Sequence, residues 1–185
     1  NELNNHLISI NDLSFLPEPY LLKNGLDDIV SFSEKNRDLI KKLIDTSNLA
    51  IFDYNEVSSK IKEALDDDNP WVRYWGVIVS SIFGNKSLEN KKKIQFIFEN
   101  DSENLVRMRA AEFMLLNDLE ISNLEINSLL KRSNFEAEAN LMLNTLANLK
   151  TKNSNFKLEL GKDVYPDNWF PPIRNENALV NRRMN

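Results

Sequence analysis

Residues 69–76 read NPWVRYWG, and this stretch is compatible with three interpretations of the chain. Asn69 followed by Pro70 is typical of a helix start, because an Asn side chain can accept a backbone N–H and proline fits the first helical turn. Arg73 then lies among large apolar side chains. Taken alone, the stretch suits a nucleic-acid stacking platform, a carbohydrate-binding aromatic patch or a helical core, so the rest of the sequence must separate them.

The composition is that of an acidic globular protein. The 185 residues are 42% hydrophobic and 28% charged, with a formal net charge of −5. That length supports one sizeable core. Nucleic acid and anionic membranes select for clustered Lys and Arg, so we expect neither as a partner. There is no cysteine and one histidine, His6, which excludes Cys/His zinc sites and thiol nucleophiles from this sequence. Because no signal segment follows Asn1, we expect a processed product or a fragment.

Glycine and proline are scarce in the middle of the chain, which predicts helices there. Between 33 and 149 they are Pro70, Gly76 and Gly84 alone. Ser33 and Asn69 are candidate N-caps. Apolar residues recur at spacings of three and four, the period of an amphipathic helix, in three stripes: Leu39, Ile40, Leu43 and Ile44; Val57, Ile61 and Leu65; Val72, Trp75, Val79, Ile82 and Phe83. We predict an all-α chain of short helices joined by tight polar turns.

Two internal segments align at a spacing of 34 residues, which superposes Asp67 on Asp101 and Arg73 on Arg107. Each Asp lies six residues before its Arg. We expect the Asp to cap a turn between two helices, and the Arg to bind that Asp and reach the neighbouring repeat. A small residue three positions after each Arg would let the helix backbones approach closely. The segments are IKEALDDDNPWVRYWGVIV at 61–79 and QFIFENDSENLVRMRAAEF at 95–113.

This pattern resembles the HEAT repeat, so the predicted fold is a short HEAT/armadillo-like α-α solenoid with irregular N- and C-terminal segments. A third, degenerate unit is expected at 123–149, where Lys131 stands at the Asp position and Glu136 with Ala137 replaces Val-Arg, as end repeats are often atypical. The predicted divisions are an extended linking strap at 1–32, the repeat domain at 33–149 and an irregular tail at 150–185.

The N-terminal strap combines prolines with aromatic side chains. Pro17 and Pro19 disfavour a helical conformation for the residues before them, hence the extended prediction. Phe15 and Tyr20 carry more apolar surface than a free linker needs, so we expect them to pack on the first helices of the array or on another domain. Glycan recognition by exposed aromatic side chains is the alternative to packing, with Trp71, Trp169 and Phe170 as the candidates. The candidate interface residues are Phe15, Tyr20, Trp71 and Trp169.

A longer combination of motifs resembles the C-terminal extension that follows the catalytic domain in a subset of bacterial formylglycine-type sulfatases. DLSFLPE at 12–18 and DNPWVRYWG at 68–76 carry most of that resemblance. It implies a parent enzyme that hydrolyses sulfuric esters, on sulfated carbohydrates, with calcium only in its catalytic domain and a periplasmic or secreted location. For this chain it implies packing against its own catalytic domain or a homo-oligomer subunit.

The chain itself lacks the Cys/Ser-x-Pro-x-Arg motif of that family. Its nearest match, FPPIR at 170–174, has Phe170 at the oxidisable position. The acidic run at 66–68 does not predict a calcium site, because adjacent carboxylates on a turn point in different directions and calcium needs six or more converging oxygen ligands. We therefore predict a non-catalytic helical-repeat domain without cofactor or metal. The alternatives are a free-standing scaffold that binds a protein or peptide, and a glycan-binding module.

Overall fold

The computed structural model describes residues 15–24, 29–133 and 136–152. Over these ranges the regular secondary structure is helical, without a strand, which confirms the all-α prediction. Short 3-10 turns at Asn48–Ile51 and Gly84–Asn90 precede α4 and α6. The helices are α1 Glu18–Asn24, α2 Ile29–Lys35, α3 Arg37–Ser47, α4 Tyr54–Leu65, α5 Pro70–Phe83, α6 Lys91–Asn100, α7 Asn104–Leu116, α8 Asn123–Lys131 and α9 Glu136–Lys152.

The helices from α4 onward follow one another as pairs. The second helices of the first two pairs begin at Pro70 and Asn104, so their starts differ by 104 − 70 = 34 residues, the spacing found in the sequence. The third pair, α8 and α9, occupies the segment predicted as a degenerate unit. Helices α3, α5, α7 and α9 pack in succession, while α4 and α6 each pack on the second helix of their pair and α8 packs on α7.

The start of α5 and its crossing with α4 confirm two local expectations. Asn69 Oδ1 accepts the Trp71 N–H at 2.9 Å, with Pro70 in the first turn. An added Cβ at Gly76 would lie 3.2 Å from the Cβ of Ala64 and 3.3 Å from the backbone nitrogen of Leu65. The absence of a side chain at Gly76 therefore allows the close α4–α5 crossing.

Ser33 was predicted to be an N-cap, and this prediction is wrong. Ser33 lies inside α2, and its hydroxyl donates to the carbonyl oxygen of Val30 at 2.9 Å. That bond satisfies the hydroxyl within its own helix, which is the usual alternative to capping for serine. The next helix, α3, begins at Arg37 after Asn36.

The extended conformation predicted for 1–32 is wrong for Glu18–Asn24, which form α1, and for the start of α2. The Pro17 carbonyl accepts the N–H groups of Tyr20 at 2.9 Å and Leu21 at 3.2 Å. Pro19 sits in the first helical turn, where a missing N–H removes no intrahelical bond. Residues 1–14 lie outside the described residues.

At the other end, α9 continues to Lys152, three residues past the predicted boundary at 149. The irregular conformation predicted for the tail concerns residues 153–185, which lie outside the described residues, and it stays a prediction. Trp169 and Phe170 belong to that range.

Candidate functional site

Arg73 links the α4–α5 turn to the α6–α7 turn. Its Nε donates to Oδ2 of Asp101 at 2.7 Å, and its Nη1 donates to the carbonyl oxygens of Asp67 at 2.7 Å and Asp68 at 3.0 Å. The side chain of Asp101 is 2% exposed. The predicted pairing of Arg73 with the Asp67 carboxylate is therefore wrong. Arg73 binds the carboxylate of the α6–α7 turn, because the packing of α5 on α7 brings that group within reach.

The two aspartates nevertheless have the same local role. Asp67 Oδ1 accepts the N–H of Asn69 at 2.9 Å, and Asp101 Oδ1 accepts the N–H of Glu103 at 3.0 Å. This confirms the prediction that each Asp caps its turn. Asp67 also forms an ion pair with Lys42 of α3, so each capping carboxylate is shared with a cation from another helix pair or from α3.

The predicted pairing of Arg107 with Asp101 is wrong, because Arg73 binds that carboxylate. Nε of Arg107 donates to the carbonyl oxygen of Phe98 at 2.6 Å, and its guanidinium lies 5.9 Å from the centroid of the Phe98 ring. Burial lowers the pKa of Arg107, the positive charge of Arg132 lowers it further, and Asp101 offsets part of this. The α8–α9 turn is also bound to the start of α7, because the carbonyl oxygen of Arg132 accepts a bond from Nδ2 of Asn104 at 3.0 Å.

A continuous series of aromatic rings joins the N-terminal segment to α5. We call the α5 members, Trp71, Tyr74 and Trp75, the aromatic surface. Neighbouring ring centroids in the series lie between 5.0 and 6.4 Å apart, a range in which tilted and edge-to-face pairs are favourable. The successive pairs are Phe15–Trp75, Trp75–Tyr74, Tyr74–Trp71, Trp71–Tyr20 and Tyr20–Phe32.

The segment before and within α1 docks on this aromatic surface. Nε1 of Trp75 donates to the carbonyl oxygen of Phe15 at 2.7 Å, and their ring centroids lie 5.5 Å apart. Tyr20 packs on Trp71 with their ring centroids 5.0 Å apart, and Leu16, which lies between Phe15 and Tyr20 in the sequence, is 2% exposed. Two docking surfaces were expected for Phe15 and Tyr20, and in the structure both side chains pack on the helix array of the same chain. Helix α1 also contacts α9.

The structure brings together three of the four predicted interface residues, Phe15, Tyr20 and Trp71, while Trp169 lies outside the described residues. Trp71 is 5% exposed, so it is not available as an exposed glycan-binding ring. The two sequence elements that carry the sulfatase resemblance, at 12–18 and 68–76, meet here through Phe15 and Trp75. Their joint occurrence therefore has a packing explanation.

Arg109 and Glu112 extend the site, and neither residue was predicted from the sequence. Arg109 donates to the Tyr74 hydroxyl from Nε at 3.2 Å and from Nη2 at 3.1 Å, and from Nη1 to Glu112 at 2.9 Å. Burial alone would lower the pKa of Arg109, but the attraction of Tyr74 and Glu112 outweighs it and the pKa is raised. The three-residue Arg–Glu spacing on α7 was a usable signal, whereas the Tyr74 contact depends on tertiary packing.

A separate polar cleft of about 960 Å³ lies beside the start of α4. The Tyr54 hydroxyl donates to Oε1 of Glu89 at 2.7 Å, and Lys62 pairs with Oε2 of Glu89 at 3.1 Å. Burial, followed by the bond to Glu89, raises the pKa of Tyr54 to about 12. The bond from Tyr54, followed by Lys62, lowers the pKa of Glu89. These groups satisfy one another, and a phenol with a raised pKa is a poor base at neutral pH.

The acidic run at 66–68 divides among separate partners. Asp66 pairs with Lys93 and Asp67 with Lys42. Among the described residues, no group of three or more His, Cys, Asp or Glu side chains is placed to hold a metal ion. Within the same ranges, no helix combines the length and the apolar character that crossing a bilayer requires.

Comparison with protein-family models, with curated proteins and with solved structures found no match to this chain. The resemblances to HEAT repeats and to a sulfatase extension therefore stay predictions from the sequence.

Proposed function

We propose that this chain is a non-catalytic helical-repeat interaction module whose aromatic surface holds a short protein segment containing proline and aromatic residues. The docking of Phe15 and Tyr20 on Trp75 and Trp71 carries the proposal. In this chain, the segment from Phe15 to Tyr20 is the intramolecular occupant of that surface.

The chemistry of the contact suits segment binding. Trp75 donates to a main-chain carbonyl, which any residue at that position would offer, and the selectivity then comes from the two aromatic anchors. Grooves lined by aromatic side chains are a recurring site for proline-containing segments, and Pro17 and Pro19 are both buried in the docked segment. Arg109 stabilises one member of the aromatic surface, because its guanidinium lies 5.4 Å from the centroid of the Tyr74 ring.

The helix-pair arrangement supports a HEAT/armadillo-like solenoid as the scaffold of this surface. Helices α3, α5, α7 and α9 follow one another in space, and the Arg73–Asp101 bond ties one pair to the next. In such arrays each repeat is stabilised by its neighbours, and the stacked helices present an extended binding surface. We therefore place the interaction face on α5 and the adjoining α7.

The experiment uses a full-length variant in which the occupant is displaced. Phe15→Asp with Tyr20→Asp puts charges at both anchors, and a synthetic peptide covering 12–24 is then added in trans. We expect the peptide to bind the variant, with a blue shift of tryptophan emission, and to bind the parent more weakly, because the tethered segment competes at high effective concentration. A control peptide with alanine at both anchor positions should not bind. A folded variant that ignores the 12–24 peptide would contradict the proposal.

A second proposal is that this module belongs to a sulfatase, packed against its catalytic domain or a homo-oligomer subunit. The observation that favours it is the contact between the elements at 12–18 and 68–76, since a shared packing unit would account for both motifs in that family. The coding sequence before Asn1 tests it. A Cys/Ser-x-Pro-x-Arg motif upstream would support the sulfatase, whereas an unrelated domain or a start codon there would contradict it.

A further inference from the structure

The third interhelix turn breaks the charge pattern of the first two. Arg73 binds the carboxylate of Asp101, which lies 28 residues later in the α6–α7 turn. The residue 28 positions after Arg107 is Phe135. Arg132 lies in the described part of the α8–α9 turn, and its carbonyl oxygen accepts a bond from Nδ2 of Asn104 at 3.0 Å. This bond fixes the third turn against the start of α7, where Arg107 lies.

Arg132 is therefore a cation on the turn that is bound to the start of α7, whereas the corresponding turn of the preceding repeat carries the carboxylate of Asp101. Neither Arg107 nor Arg132 forms an ion pair with a carboxylate in the part of the chain that the structure describes. Among the described residues, Arg107 donates a hydrogen bond from Nε alone, to the carbonyl oxygen of Phe98, and the Asp101 carboxylate is already bound by Arg73. The charge of Arg132 is close enough to lower the pKa of Arg107.

We propose that Arg107 and Arg132 form an acceptor site for a carboxylate presented by an acidic segment of a protein partner. The carboxylate would accept from the Nη groups of Arg107, because Nε, the atom through which Arg73 binds Asp101, already donates to the carbonyl oxygen of Phe98 in Arg107. Guanidinium groups bind carboxylates with paired, charge-assisted hydrogen bonds. The commitment to a carboxylate follows from the preceding repeat, where the same arginine position selects one.

This site is distinct from the aromatic surface. Arg107 and Arg109 are two positions apart on α7, which turns their side chains by about 200° around the helix axis. Arg109 faces Tyr74 of the aromatic surface, whereas Arg107 faces Phe98 and the third turn. An acidic segment could thus bind here whether or not the aromatic surface accepts a peptide, and the two proposals can fail separately.

The first test supplies the carboxylate within the chain. Arg132 is exposed, so Arg132→Glu and Arg132→Gln both remove its charge at small structural cost, and the Glu variant alone places a carboxylate beside Arg107. We expect a higher Tm for Arg132→Glu than for Arg132→Gln, and no such difference when Arg107 is changed to Gln. Equal Tm values for the two Arg132 variants in the parent background would overturn the proposal.

The second test adds the partner chemistry from outside. An N-acetylated, C-amidated tri-aspartate peptide is titrated into the full chain at low ionic strength, and the side-chain Nε–Hε signals of the arginines are followed by NMR. We expect saturable shifts for Arg107 and Arg132, a control signal from Arg73 that does not move, and binding weakened about tenfold in Arg132→Gln, the equivalent of one charge-assisted bond. A site that binds inorganic phosphate but does not bind the peptide would overturn the carboxylate site. Peptide-induced shifts that Arg132→Gln leaves unchanged would overturn it as well.

Discussion

The guanidinium of Arg73 on α5 and the carboxylate of Asp101 at the end of α6 are joined across the boundary between two helix pairs, at 2.7 Å from Nε to Oδ2. The same Arg73 also binds two carbonyl oxygens of the turn before its own helix. One side chain thus connects the turns of consecutive pairs, and this sets how the second pair sits on the first.

Arg73→Ala should destabilise the fold far more than Arg107→Ala. Removing Arg73 leaves the nearly buried Asp101 charge without its partner, which costs about 3 kcal/mol. Removing Arg107 loses one bond to the carbonyl of Phe98, worth about 1 kcal/mol. Urea denaturation of both variants measures the difference. Equal losses would show that Arg73 does not hold Asp101 in solution, and Asp101→Asn serves as the matched control.

Gly76→Ala should destabilise the α4–α5 crossing. Alanine is the better helix former by about 1 kcal/mol, yet its Cβ would press on the backbone of α4 at Ala64 and Leu65, which cannot move like a flexible side chain. We expect overpacking to exceed the helix gain, for a net loss of about 1 kcal/mol. Thermal unfolding measures it, and a Tm above that of the parent would mean that the helices cross less closely.

Tyr54 should make the protein lose stability in alkaline solution. Its folded pKa of about 12 is above the ordinary value of 10.0, so its contribution is complete below pH 10 and is lost as the pH rises toward 12. The unfolding free energy of the parent minus that of Tyr54→Phe should therefore shrink between pH 10 and 12. A difference that stays constant over that interval would contradict the raised pKa.

Glu89 should make the protein lose stability in acidic solution. Its folded pKa lies below the ordinary value, so the stability it contributes is present above its unfolded pKa and is lost as the pH falls through the folded one. Glu89→Gln should remove part of the acid-induced loss that the parent shows. Denaturation midpoints measured from pH 6 downward test this, and identical pH dependence in parent and variant would contradict the contribution of Glu89.

Trp75→Phe should weaken the docking of the N-terminal segment while keeping an aromatic ring. It removes the Nε1 donor to the Phe15 carbonyl, a loss of about 1 kcal/mol. The same substitution should cost much less in a background with Phe15→Asp and Tyr20→Asp, where the segment is already displaced. Equal costs in both backgrounds, measured by urea denaturation, would show that the Trp75 side chain stabilises something other than this contact.

The sequence was sufficient for the helix pairs, because their evidence is local. Apolar periodicity located α4 and α5, the Asn69–Pro70 dipeptide located the start of α5, and the 34-residue spacing related two turns. It was insufficient for α1, because a residue before proline is biased away from the helical conformation, whereas proline itself is compatible with the first turn of a helix, where Pro19 lies.

The partners of the charged and aromatic side chains could not be obtained in the same way. Spacing alone offers Arg73 two aspartates in register, Asp67 and Asp101, and only the packing of α5 on α7 selects the second. The Trp75–Phe15 contact joins residues 60 positions apart, for which a single sequence carries no spacing signal.

The most direct test of the account is whether the segment around α1 occupies the aromatic surface in the intact chain and can be exchanged. The chain has no cysteine, so Glu18→Cys, at an exposed position of α1, gives a single attachment point for bimane, a fluorophore that nearby tryptophan quenches. We predict strong quenching of the bimane emission, and weaker quenching when Trp71 is changed to Phe. When Trp71 is retained, excess 12–24 peptide should also weaken the quenching, because it displaces the segment. Emission that is unquenched from the start, or quenching that excess peptide leaves unaltered, would contradict the account.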